Sequence, residues 1–177
     1  TSYLRSGVLY ESESFISQKY NVLAYRVYTP EGEKFSLDLK YERVDAGADD
    51  RPEEYNAILG QRITVISQGN TITLEGAAID GPHPQYGEGG ESTRFGGAVT
   101  VKTDGSICAH DGILTVTGAT NAVGYASFET DYDVNAFDFD RSKDYMSVIR
   151  RRMEAVAAED YREVLETHIR DHGAAFG

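Results

Sequence analysis

The stretch Phe35-Ser36-Leu37-Asp38-Leu39-Lys40-Tyr41 decides the fold class. Apolar and polar residues alternate, so Phe35, Leu37, Leu39 and Tyr41 fall on one face of an extended strand, and Ser36, Asp38 and Lys40 on the other. A helix would scatter the same four side chains around its axis. Working outward, the turn Pro30-Glu31-Gly32-Glu33 separates this run from a second strand, Val22-Leu23-Ala24-Tyr25-Arg26-Val27-Tyr28. Before that, Val8-Leu9-Tyr10 leads into Ser14-Phe15-Ile16-Ser17. Downstream, Arg62-Ile63-Thr64-Val65-Ile66 and Thr71-Ile72-Thr73-Leu74 flank Gly69-Asn70, a tight-hairpin signal. Further strands are predicted at 97–103, 106–109, 113–117 and 123–128, with turns at Asp104-Gly105 and Asp111-Gly112. Strand follows strand with no helical pattern between them, which predicts an antiparallel β-sandwich over residues 1–139.

After residue 140 the period changes. Tyr145, Val148, Ile149, Met153 and Val156 recur at helical spacing, and so do Tyr161, Val164, Leu165, His168 and Ile169. Ser142 is the expected cap of the first helix and Asp160 of the second. The expected organisation is therefore mainly β: a sandwich domain, 1–139, followed by two linker helices in 140–177. Two helices alone bury little, so their stripes need the sheet or further helices.

Charge narrows the partners. The chain has 17 Lys and Arg against 29 Asp and Glu, a net charge of −12. The excess belongs to residues 1–140, which hold 10 basic and 22 acidic side chains; residues 141–177 hold 7 of each. Nucleic acid and anionic membranes are not expected partners, because such binders need a basic stripe. No apolar run is long enough to span a bilayer. The start, Thr1-Ser2-Tyr3-Leu4-Arg5, has no signal-peptide pattern and no initiator Met, so the chain reads as a piece of something longer. Cys108 is the single cysteine and has no internal disulfide partner, which fits either a cytoplasmic or a secreted bacterial protein.

Several constellations offer chemistry on paper. Asp131-x-Asp133-x-Asn135 has the oxygen-ligand spacing that opens a calcium loop, with Asp138 and Asp140 nearby. Position six is Ala136 rather than Gly and position twelve is Ser142 rather than Glu, so an Asx-rich turn is the competing reading. His168 and His172 share a helix face, but the zinc-peptidase pattern lacks its Glu, and His168 lies on the apolar stripe, which favours packing. Cys108 and His110 share a strand face without a third group, and a lone strand cysteine is expected to be buried and inert. Gly87-x-Gly89-Gly90 lacks the helix that a phosphate cradle needs. Arg150-Arg151-Arg152 fans around a helix and is expected to be a solvated face, partnering nearby acids such as Glu154. No cofactor and no metal are called for.

Four stretches resemble a known family. They are Gly7 to Ser17 with Asn21-Val22-Leu23-Ala24-Tyr25-Arg26; Leu74-Glu75-Gly76 with Pro84-Gln85-Tyr86; Arg94-Phe95 through Gly105 with Leu114 to Ala119; and His168-Ile169-Arg170-Asp171-His172 with Phe176. In this order they resemble the N-terminal β-domain and helical linker of glycoside hydrolase family 95, whose best-known members are α-L-fucosidases. The resemblance implies a supersandwich-type β-domain, with further strands upstream and a catalytic α/α barrel downstream as its intramolecular partners. It implies inverting hydrolysis by the parent enzyme, with carbohydrate as the parent's ligand. It assigns no catalytic residue to this chain, which is expected to be an accessory domain, inactive by itself.

Of the two long interruptions, the acidic 45–57 offers little, whereas 80–94 contains His83-Pro84-Gln85-Tyr86. Sugars are held by planar aromatic faces and fixed hydrogen-bonding groups, so His83, Gln85 and Tyr86 are the candidate substrate-binding residues, on a loop stiffened by two prolines. The alternative function is a free-standing carbohydrate-binding sandwich, against which the two helices and the absence of Trp weigh.

Overall fold

The computed structural model describes residues 1–41, 63–80, 90–133 and 142–176. Among these residues it is mainly β, with ten strands in two antiparallel sheets and two helices toward the C-terminal end. The strands are β1 (Ser2–Arg5), β2 (Val8–Ser17), β3 (Val22–Tyr28), β4 (Phe35–Lys40), β5 (Ile63–Gln68), β6 (Thr71–Asp80), β7 (Gly90–Thr103), β8 (Ser106–His110), β9 (Ile113–Ala119) and β10 (Asn121–Thr130). The helices are α1 (Tyr145–Ala157) and α2 (Tyr161–Phe176). The large sheet has the order β1-β2-β3-β10-β7-β6-β5 and the small one β4-β9-β8.

Alternation sends each strand of the large sheet to two different cores. On β3, Val27 faces the small sheet while Val22 and Ala24 face the helices; on β10, Ala122 faces the small sheet while Val123 and Tyr125 face the helices. The inter-sheet core joins Val27, Ile72, Val101 and Ala122 to Phe35, Leu114, Val116 and Ala119. Leu37, Leu39 and Tyr41 pack against it from the same face as Phe35, as their alternation predicts, although the β4–β9 register shifts between Phe35 and Leu37. The second core lies between α1 and the opposite face, where Tyr145, Ile149, Met153 and Val156 pack on Ala98, Val123 and Tyr125. Small residues allow that approach: a Cβ at Gly96 would strike Met146 Sδ and lie 2.9 Å from Tyr145 Cε2.

The hairpin at Gly69-Asn70 forms with Gln68 opposite Thr71, and Gly69 has φ +60°. Gly105 is required for a different reason, since a Cβ there would lie 2.6 Å from Thr117 O. Beside it, Asp104 accepts from Thr120 N (2.9 Å), Thr120 Oγ1 (2.5 Å) and Asn121 N (3.0 Å). These bonds, led by the Thr120 hydroxyl, hold its carboxyl below the usual aspartate value.

Several local expectations need correction. β1 was not foreseen, and the runs at 8–10 and 14–17 are one strand. The 80–94 interruption is shorter than the composition suggested, because β6 runs to Asp80 and β7 starts at Gly90. Asp144, not Ser142, caps α1: its carboxylate accepts from Ser147 N at 3.0 Å and Ser147 Oγ at 2.5 Å. Asp160 does cap α2, accepting from Arg162 N at 2.8 Å. Ile169, placed on the apolar stripe of α2 by its spacing, is exposed, because that stripe meets the sheet only near Val164 and His168.

Candidate functional site

The predicted sugar-binding residues His83, Gln85 and Tyr86 lie outside the described residues, as does the acidic stretch 45–57. What the structure describes is their base. Strands β6 and β7 run together up to Asp80 opposite Gly90, with a register shift between Ala77 and Ile79. At this end Arg94 on β7 is fastened to Asp131, just beyond β10. Arg94 N donates to Asp131 Oδ1 and Arg94 Nε to Asp131 Oδ2, both at 2.9 Å, while Asp131 N donates back to Arg94 O at 3.0 Å. Asp131 is 2% exposed, so a buried carboxylate is matched by a guanidinium and a backbone N–H.

This bears on the calcium spacing. Both Asp131 oxygens already accept from Arg94, Asp133 is exposed, and Asn135 lies outside the described residues. Among the described residues no three His, Cys, Asp or Glu side chains converge as metal ligands. Asp131 acts as a strand clasp, which spacing alone does not distinguish from a ligand.

Next to the clasp, Glu129 accepts from Lys143 Nζ at 3.1 Å and Arg152 Nη2 at 2.8 Å. Burial pushes its carboxyl up, but bonds from Lys143, Thr130 N and Arg152 outweigh this and hold it below the usual glutamate value. Arg152 also donates to Ser127 Oγ and Phe128 O. The partner of the arginine run is thus Glu129 on the sheet, not Glu154, because only Arg152 faces inward.

A polar cluster at the α2 end of the large sheet escaped the sequence reading. Glu11 and Glu13 on β2 share the helix-side face with Arg26 on β3, directly opposite Glu13. Arg26 Nε donates to Asn121 Oδ1 at 2.6 Å, and its guanidinium lies 4.1 Å from the Tyr28 ring centroid and 5.0 Å from that of Tyr161. Tyr28 donates to Glu11, and Tyr161 to Glu13 at 2.8 Å. Burial first, then the Glu13 bond, raises the Tyr161 phenol far above its usual value. Each group in the cluster is committed to another, so it joins α2 to the sheet. Period-2 alternation marks these positions only as polar, which reads as a solvent face.

The histidine pair also packs. His168 stacks on Phe15 with ring centroids 4.7 Å apart, and His172 continues the row to Phe176. Cys108 departs from expectation, because on β8 it alternates with Ile107 and Ala109, which pack on the inter-sheet core, so Cys108 and His110 fall on the outer, solvent face of the small sheet. His110 Nε2 lies 3.1 Å from Thr115 Oγ1 rather than against the thiol.

Two clefts remain. One, of about 440 Å³, opens between the large sheet and the edge strand β4; Leu23, Tyr25, Leu37, Leu39, Val99 and Ala126 make it apolar. Close to it Ile16, Leu23, Tyr25 and Phe128 are exposed. The other, of about 480 Å³, lies between β6–β7 and α1 and is rimmed by polar groups. No helix among the described residues is long and apolar enough to cross a membrane.

Among curated proteins none matches the chain. Residues 1–135 match the family model described as glycosyl hydrolase family 65, N-terminal domain, a span running from β1 through the clasp at Asp131. That covers well over half of the chain, and the chain belongs to this family of glycoside hydrolase N-terminal domains.

Proposed function

We propose that the chain is a non-catalytic accessory domain of a glycoside hydrolase resembling the α-L-fucosidases of family 95, and that it supports the catalytic barrel and lines its cleft with His83, Gln85 and Tyr86. The family match over residues 1–135 carries the reading as far as a glycoside hydrolase N-terminal domain; it names family 65. The fucosidase refinement rests on the sequence resemblance.

Two further features favour a supporting role. The apolar cleft beside β4, with Ile16, Leu23 and Tyr25 exposed nearby, is the kind of surface that a neighbouring domain or further strands cover. The carboxylates best held by the fold, Asp131 and Glu129, are bound to cations, whereas a hydrolytic pair needs one group free to protonate an oxygen and another to activate water. Proposed intramolecular partners are a barrel beyond 140–177 and strands ahead of β1.

The test uses the purified chain and an enzyme carrying it. The chain alone should not hydrolyse an aryl α-L-fucoside, and Tyr86→Ala in the whole enzyme should raise KM more than it lowers kcat. Turnover by the chain alone would overturn the accessory role. Hydrolysis of α-glucosides but not α-fucosides by the whole enzyme would overturn the fucosidase refinement.

A further inference from the structure

The polar cleft between β6–β7 and α1 is half open to solvent, and its lining takes no part in the clasps described above. One wall is the helix-side face of the strands, where Thr71 and Thr100 bring their hydroxyls within 2.9 Å and Thr73 follows on the same strand face. The other wall is α1, with Arg150 and Glu154 one turn apart, and Glu75 adds a second carboxylate from β6. Met146 and Ala157 contribute accessible apolar surface, backed by Ala98, Ile149 and Met153 of the buried core, which hold it in place.

The rim groups Glu75, Arg150 and Glu154 are exposed, and Arg150 acts electrostatically on Asp144 at the start of α1. Arg150 and Glu154 stand at i, i+4, a spacing at which such side chains commonly pair, yet they do not pair with each other. Among the described residues neither they nor the Glu75 carboxylate has a hydrogen-bond or ion-pair partner.

We infer that this cleft is a carbohydrate-binding site, taking one or two neutral pyranose rings of a glycan. Three properties select that ligand class. The lining carries both signs of charge, so it attracts neither an anion nor a cation strongly. Carboxylates and a guanidinium present paired acceptors and donors that match vicinal sugar hydroxyls. The apolar surface suits the C–H face of a pyranose, and about 480 Å³ accommodates one or two rings. The site rests on the glycoside hydrolase reading for its ligand class, and its described lining comes from β6, β7, α1 and the turn at Asn70.

The experiment is a titration of the full 177-residue chain, followed by two-dimensional amide NMR, with D-glucose, D-galactose and L-fucose as probes. At least one sugar should shift the amides of Thr71, Thr73, Glu75, Arg150 and Glu154, with a dissociation constant on the order of a millimolar. Glu75→Gln and Arg150→Ala should each weaken binding about five- to tenfold, while an unchanged amide fingerprint elsewhere reports an intact fold. Tyr86→Ala should leave the cleft shifts as they are. No shift with any probe up to about 100 mM would overturn the inference. So would shifts insensitive to both cleft variants, or shifts lost in Tyr86→Ala, which would place binding on the 83–86 loop and leave the accessory reading standing. Concentration-dependent shifts of the same amides without sugar would make the cleft a contact between copies, and would also overturn it.

Discussion

Truncating Ile149 asks whether the helices are part of the β-domain or a separable tail. Ile149 is 1% exposed on α1 and sits in one core with Val22, Ala24, Ala98, Val123 and Tyr125 of the large sheet. Ile149→Ala removes three buried carbons, which at ~0.8 kcal/mol per methylene forfeits about 2.5 kcal/mol, and the residual cavity brings the loss to about 3–4 kcal/mol. For a chain of this size the midpoint of thermal unfolding should fall by about 8–12 °C. The half-buried neighbour Val148 provides a control, with a loss of about 1 kcal/mol for Val148→Ala. The assay is thermal unfolding followed in parallel by far-ultraviolet circular dichroism, for helix, and by tyrosine near-ultraviolet signal, which reports tertiary packing, including that of Tyr125 on the sheet and Tyr145 on α1 in the shared core. Both signals should move together to the lower temperature in Ile149→Ala. A midpoint within about 2 °C of the parent chain, or a helix signal lost well before the tyrosine signal, would refute the shared core.

Two other expectations follow from single side chains. Glu129 titrates below its ordinary value of 4.5 in the folded state because Lys143, Thr130 N and Arg152 favour the carboxylate, so its stabilisation is complete above about pH 4.5 and is lost as the pH falls through the lower folded value. Glu129→Gln should therefore cost about 1–2 kcal/mol at neutral pH and flatten the acid limb of a stability-against-pH curve from denaturant titrations, and an unchanged acid limb would contradict the assignment. Cys108 is exposed on an edge strand, so Ellman's reagent should titrate one thiol in the folded chain without denaturant, and Cys108→Ser should change stability by no more than about 0.5 kcal/mol; a thiol that reacts only after unfolding would contradict its placement.

How much of this was legible depended on whether a signal was local. The alternation at 35–41, the Gly69-Asn70 hairpin and the helical spacing of Tyr145, Ile149, Met153 and Val156 each reflect one element burying one face, and all three appear as read. The Asp160 cap was also readable, whereas Ser142 and Asp144 are both good capping residues and only the helix start separates them. Tertiary pairings were not legible. Arg152 meets Glu129 rather than Glu154 because the turn of α1 points it at the sheet, and Cys108 is exposed because Ile107 and Ala109, not Cys108, take the core face of β8. The Glu11–Glu13–Arg26 cluster was hidden for a similar reason: on a sheet covered on both faces, a polar position need not point to water.

The order β1-β2-β3-β10-β7-β6-β5 places the doubly covered strands in the middle and the thinly covered ones at the flanks. Breathing of the backbone is therefore sorted by position across the sheet. Amide exchange is expected to be fastest at β1 and β5 and slowest at β3 and β10, where parting one hydrogen bond would also mean lifting a helix or a second sheet. Near the end where β6 and β7 run together to Asp80 and Gly90, the Arg94–Asp131 bonds tie β7 to the chain just beyond β10, so that end of the pair is braced from the centre of the sheet and not from its flank.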